Sequence, residues 1–131
     1  MHFHTNKEKG NTSLAVAIAY YVSNGCTVSL PLNDTQDYDL IIERSHSLYK
    51  VQVKSTSCKT KYGIYQVSLK SCGGTNGKTY KTLIDTNIDE VFILNDILEI
   101  YIIPLSVIKN KSTLNLCDKY QKYKVITEYK S

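Results

Sequence analysis

With 131 residues, 42% hydrophobic and 21% charged, and a net charge of +4, the chain has the composition of one globular domain and is too short for two. No apolar run approaches the ~20 residues of a membrane span, and the polar start Met1-His2-Phe3-His4 lacks the apolar segment of a signal peptide, so a soluble, intracellular protein is expected. Cys26, Cys58, Cys72 and Cys117 show no metal-knuckle spacing and are expected as reduced thiols. A zinc site joining cysteines to His2, His4 or His46 is the minor alternative.

Asn11-Thr12-Ser13 offers capping side chains just before the run Leu14–Val22, and Gly25 is placed to stop a helix. That helix is apolar nearly all round, which predicts packing against a sheet, with its alanines allowing close approach. Cys26 to Leu30 reads as a strand ended by Pro31. A hairpin follows, Tyr38–Glu43 and Leu48–Ser55, around a loop Arg44-Ser45-His46-Ser47. Gly63 to Lys70 alternates like a strand, Ser71 to Thr79 is glycine-rich, and Glu90–Leu94 and Leu98–Ile103 form two further strands around Asn95-Asp96, ended by Pro104. No repeat or low-complexity linker divides residues 1–131.

Charge is segregated. From Arg44 to Ile84 there are eight basic residues and no acidic one, and from Lys109 to Ser131 six lysines face two acids, while Asp85 to Glu99 carries five acids and no base. A basic face of this kind suits a polyanion, although a solvated lysine surface has the same composition. The stretch from about Lys109 reads as a basic C-terminal tail.

The hairpin carries chemistry that a structural hairpin does not need. Counting from Glu43 opposite Leu48 sets Asp39 opposite Gln52, and Lys54 shares the face of Gln52. Asp39 offers a carboxylate, Gln52 a neutral oxygen, and the Val53 main-chain carbonyl a third ligand for Mg²⁺, a hard cation. Lys54 is suited to stabilise charge on a phosphate. The bland alternative is an Asp39–Lys54 surface ion pair worth ~0–1 kcal/mol.

Asp39-Leu40-Ile41-Ile42 followed by Val51-Gln52-Val53-Lys54 resembles the signature of the PD-(D/E)XK nuclease superfamily, in the variant with Gln in place of the second acid. Lys9-Gly10-Asn11, the small-residue helix, Gly25, Val28–Leu32, Ile88-Asp89, Val91-Phe92 and Ile100–Pro104 extend the likeness to the group that holds a cyanobacterial group I intron homing endonuclease. The resemblance implies an α/β fold, a restriction-endonuclease-like core with a mixed central β-sheet flanked by helices. It also implies Mg²⁺-dependent hydrolysis of DNA phosphodiester bonds, with Mn²⁺ as substitute. Asp39, Gln52 and Lys54 would be the catalytic residues, with Asp39, Gln52 and the Val53 carbonyl on the metal and Ser55 contacting phosphate. Relatives carry a glutamate on the first helix; Asn11–Ala15 contains no acid, and Glu8, one turn earlier, is the substitute.

Lys50, Lys59, Lys61, Lys70 and Lys78 are the expected phosphate contacts. A chain this small covers few base pairs, so a palindromic or branched target calls for a homodimer or homotetramer. The expected activity is that of a homing-type or sequence-specific endonuclease, with a mobile element or phage as one setting for its gene. A Holliday junction resolvase and a catalytically inactive DNA-binding module of the same fold are the alternatives.

Overall fold

The computed structural model describes residues 6–33, 35–69, 71–73, 79–81 and 87–125. It opens with helix α1, Asn6–Ser23, which begins five residues before the expected cap at Asn11. The reason is local: Lys7, Glu8 and Lys9 are good helix formers, and the Ser13 hydroxyl, instead of capping, turns inward to Ser55. The stop is as the glycine suggests. Gly25 sits at φ +85°, and the Gly25 and Cys26 amides bond back to the Val22 and Tyr21 carbonyls at 3.1 and 2.9 Å. This closure satisfies carbonyls that the helix end leaves open.

Among the described residues ten strands follow: β1 (Thr27–Ser29), β2 (Leu40–Arg44), β3 (Ser47–Thr56), β4 (Gln66–Ser68), β5 (Ser71–Gly73), β6 (Thr79–Lys81), β7 (Glu90–Asn95), β8 (Ile100–Pro104), β9 (Thr113–Asn115) and β10 (Lys124–Val125). Helix α2, Leu105–Ile108, follows β8, and a 3-10 turn spans Asp118–Tyr123. Six strands form one mixed sheet in the order β1-β2-β3-β7-β8-β10, in which β3 and β7 are parallel and every other neighbouring pair is antiparallel. β4 pairs with β9 and β5 with β6 in separate two-stranded ribbons.

The sheet buries both faces. On one, Ala17 and Tyr21 of α1 meet Leu40, Ile42, Val51, Phe92, Leu94 and Ile100. Small residues at Ser13 and Ala17, one turn apart, let the helix approach closely. Its far side is open, with Val22 half exposed, so the helix is amphipathic rather than buried all round. On the other face, Val91, Ile93, Tyr101 and Ile103 pack under the β4–β9 ribbon, α2 and Tyr120. The two alternating sets in β7 explain why its residues are all buried: one side chain goes up and the next down, and both faces are covered.

The stretch expected as a basic tail is part of this core through Val125. Leu114, Leu116 and Tyr120 are buried, and Lys124 and Val125 add the last strand. Spaced apolar residues among the lysines account for the difference: the lysines face solvent while every second or third residue packs inward. Residues after Val125 lie outside the described residues. Among the described residues no helix is long and apolar enough to cross a membrane.

Candidate active site

The site is built on the β2–β3 hairpin. Its register is that expected from the sequence, with Glu43 opposite Leu48 and Leu40 opposite Val51. The loop is shorter than expected, because Arg44 pairs with Ser47 and only Ser45 and His46 remain to turn the chain. Both adopt positive φ, 53° and 69°, the two-residue turn whose twist matches that of the strands.

Where the β2 ladder ends, Asp39 takes over. Its amide donates to the Val51 carbonyl at 2.8 Å, and its Oδ2 accepts the Val53 N–H at 2.7 Å. Val51 and Val53 therefore turn their main-chain groups toward β2. The Val53 carbonyl leaves the strand on that same edge, because the N–H and C=O of a strand residue face the same neighbour. On the other edge, Lys50 faces β7: its N–H donates to Asp89 Oδ2 and its carbonyl accepts from the Asp89 amide, both at 2.8 Å.

Alternation along β3 sorts the side chains. Val51 and Val53 pack toward α1, so Lys50, Gln52, Lys54 and Thr56 line the opposite face. Gln52 is 6% exposed. Its Nε2 donates to the Asp37 carbonyl at 3.3 Å, while its Oε1 is buried and has no hydrogen-bond partner. An orphaned acceptor of this kind costs about 1–3 kcal/mol unless something binds it.

The electrostatics tie Asp39 to Lys54. Surrounding protein raises the Asp39 pKa above the usual carboxylate value, opposed by the Val53 N–H and the Lys54 charge. Burial lowers the Lys54 pKa, opposed by Asp39. Each group offsets part of the other's desolvation, as expected for opposite charges in a half-dry pocket.

Ser55 takes a different place from the one expected. It follows Lys54 directly, so alternation turns it to the α1 face, where its hydroxyl pairs with buried Ser13 and lies 3.4 Å from the Lys9 carbonyl. It holds the helix against the strand and does not share the face of Lys54. The same contact brings the first turn of α1, including exposed Glu8, to the end of β3 that carries Lys54. Among the expected phosphate contacts, the Lys50 ammonium lies over the Tyr38 ring at 5.4 Å, Lys59 over Tyr65 at 4.8 Å and Lys61 over Tyr62 at 5.1 Å. Lys70 and Lys78 lie outside the described residues.

Two supporting features were not anticipated. Buried Glu90 accepts from Tyr21 Oη at 2.7 Å and pairs with Arg44 at 2.9 Å, tying helix, hairpin and β7 together. Burial and the neighbouring carboxylate push the Tyr21 pKa well up. An acid directly opening the apolar run Val91-Phe92-Ile93-Leu94 was the available signal. The Asp37 carbonyl, which orients Gln52, had none, since a main-chain contact leaves no trace in residue type.

The β2–β3 hairpin, in the interior of the mixed sheet, carries a carboxylate, an amide oxygen and a lysine, and the sequence matches the family profile of the PD-(D/E)XK endonucleases over residues 4–130. The chain belongs to that endonuclease family. Among solved structures its fold is similar to that of a bacterial homing endonuclease, I-Ssp6803I, with a TM-score of 0.75 and 24% identity over 93% of this chain and 88% of that one. The shared architecture is the restriction-endonuclease-like core. No curated protein matches the sequence.

Proposed function

We propose that the protein is a divalent-metal-dependent DNA endonuclease, with Mg²⁺ as its ion and Mn²⁺ as substitute, of the homing or otherwise sequence-specific type. The observation that carries this reading is the buried, unpartnered Gln52 Oε1 on the face of β3 away from α1, with Asp39 opposite it in the hairpin register. The donors available there, one carboxylate, one amide oxygen and the Val53 carbonyl, are all hard oxygens and fit Mg²⁺ or Mn²⁺ better than zinc. Among the described residues no group of three His, Cys, Asp or Glu is gathered for a metal. The site is therefore lean, and Glu8 is the one acid near it on the first helix turn. A cation held there would polarise the scissile phosphate and activate the attacking water.

The chain's own residues supply the rest. The Val53 N–H fixes the Asp39 carboxylate, and the Asp37 carbonyl fixes the Gln52 amide. Lys54, beside Asp39, neutralises charge that builds on the phosphate in the transition state. Lys50, Lys59 and Lys61 grip flanking phosphates, with Lys70 and Lys78 proposed for the same duty. A palindromic target would take a homodimer, related by the same two-fold axis as the DNA.

The test is cleavage of supercoiled, linear and four-way-junction DNA with Mg²⁺ or Mn²⁺. Wild-type protein should cut linear duplex at few sites, and Asp39→Ala and Lys54→Ala should not cut. Cleavage that persists in Asp39→Ala removes the site assignment. Cutting confined to junctions makes the protein a resolvase, and tight binding without cutting makes it an inactive binding module.

A further inference from the structure

Beside Asp39 the structure has a cleft of about 280 Å³ lined by Leu14 of α1 and by Leu30, Leu32, Asn33, Gln36 and Tyr38 of the β1–β2 connection. Its lining differs from the rest of the expected DNA surface. Leu30 is 52% exposed and Leu32 fully so, at 103%, and Asn33 and Gln36 are exposed amides. No lysine or arginine lines the cleft; Lys50 adjoins it only through the Tyr38 ring that it lies over, and Lys59 and Lys61 lie over Tyr65 and Tyr62, outside its lining.

Phosphate contacts hold a protein on DNA without reading sequence, and base edges are read by hydrogen-bonding and apolar groups. A surface that grips phosphate needs cations, and this one has none. Amide side chains pair with the donor and acceptor edges of adenine, and apolar side chains contact thymine methyls or wedge between base steps. Asp39 opens into the same cleft, so whatever fills it adjoins the phosphate being cut. We infer that Leu32, Asn33 and Gln36 form a base-reading element that selects the base pairs next to the scissile phosphate. Leu30 and Leu14 form the apolar wall behind it. The inference rests on Asp39 being the catalytic carboxylate and goes beyond it by assigning where sequence preference originates.

The experiment is selection of bound duplexes from a randomised DNA pool, with Ca²⁺ present so that bound DNA is recovered whole. Wild-type protein is run beside Leu32→Ala, Asn33→Ala and Gln36→Ala, and beside Lys59→Ala as a phosphate-contact control. All four substitutions are at exposed positions. The expected result is a roughly tenfold loss of preference at one or two adjacent base pairs in the loop variants, and a uniform weakening for all sequences in Lys59→Ala. Unchanged preference in all three loop variants overturns the inference and leaves the nuclease reading intact, as does a wild-type protein that binds DNA with no sequence preference. A Leu32→Ala protein that loses self-association in sedimentation while keeping its preference also overturns it, by making the loop an interface between copies. No binding of DNA by the wild type at all sinks the proposed function together with this inference.

Discussion

The two faces of β3 are built from consecutive residues yet carry different duties. On the helix side, Val51 is fully buried among Leu40, Phe92 and Ala17, and Ser55 meets Ser13. On the opposite side, at the same height along the strand, Gln52 keeps an unsatisfied oxygen and Lys54 sits half-buried near Asp39. The helix face satisfies its groups internally; on the other face Gln52 Nε2 and Thr56 are hydrogen-bonded within the chain, and Gln52 Oε1 is the buried atom without a partner. Stability and chemistry are thus separable residue by residue, and substitutions on the two faces should fail in different assays.

The largest expected effect is on the side of the hairpin that carries Asp39, Gln52 and Lys54. Asp39→Asn keeps an acceptor for the Val53 N–H but removes the carboxylate proposed to hold the cation, and single-turnover cleavage should fall at least ~10³-fold, since a bound cation supplies several kcal/mol of transition-state stabilisation. Thermal stability should hold, which a melting curve without metal checks. Its pH dependence sharpens the point. The folded-state pKa of Asp39 is raised, so ionising it costs stability as pH rises from the ordinary carboxylate range through the raised value. In chelator, the Asp39→Asn protein should therefore gain on the wild type as pH increases from about 4, and the gap should not reopen below that.

Phe92→Ala tests the closed face. Phe92 is fully buried and packs against Tyr20 and Tyr21 with ring centroids 6.1 and 5.7 Å away. Its truncation should cost about 3–5 kcal/mol in denaturant unfolding, and protein that stays folded at low temperature should still bind metal. A smaller loss, about 1–2 kcal/mol, is expected for Tyr21→Phe, which leaves a Glu90 oxygen without its hydroxyl donor. Gln52→Glu sharpens the comparison from the other direction. A second carboxylate in a buried position should lower the metal-free melting temperature and enlarge the rise produced by Mg²⁺, because binding to the folded state alone adds stability. The smallest effect belongs to the turn. Replacing Ser45-His46 by Asn-Gly relieves two positive-φ positions and should stabilise by about 0.5–1 kcal/mol with cleavage unchanged.

What could be read from the sequence follows physical range. The hairpin register follows from counting, because alternation and a tight turn are local rules, and it sets the Asp39 carboxylate against the Val53 N–H. Gly25 announced its helix end for the same reason. Long-range pairing was not legible. Nothing in Glu90–Asn95 signals that it runs parallel to β3, and nothing in Lys124-Val125 marks an edge strand, since two residues carry no period. Ser55 shows the limit within the site: adjacency to Lys54 suggested a shared pocket, and the two-residue period of a strand put it on the other face. The helix start at Asn6 was hidden because Ser13 looks like a cap and serves instead as a buried contact.

We propose that Asp39, Gln52 Oε1 and the Val53 carbonyl form one cation site. A crystal of the wild-type protein soaked in Mn²⁺ and measured at the manganese absorption edge tests it directly. One anomalous peak bonded to Asp39 and Gln52 on the β2–β3 hairpin is expected, absent from Asp39→Asn. A peak elsewhere, or one that survives in Asp39→Asn, would contradict it.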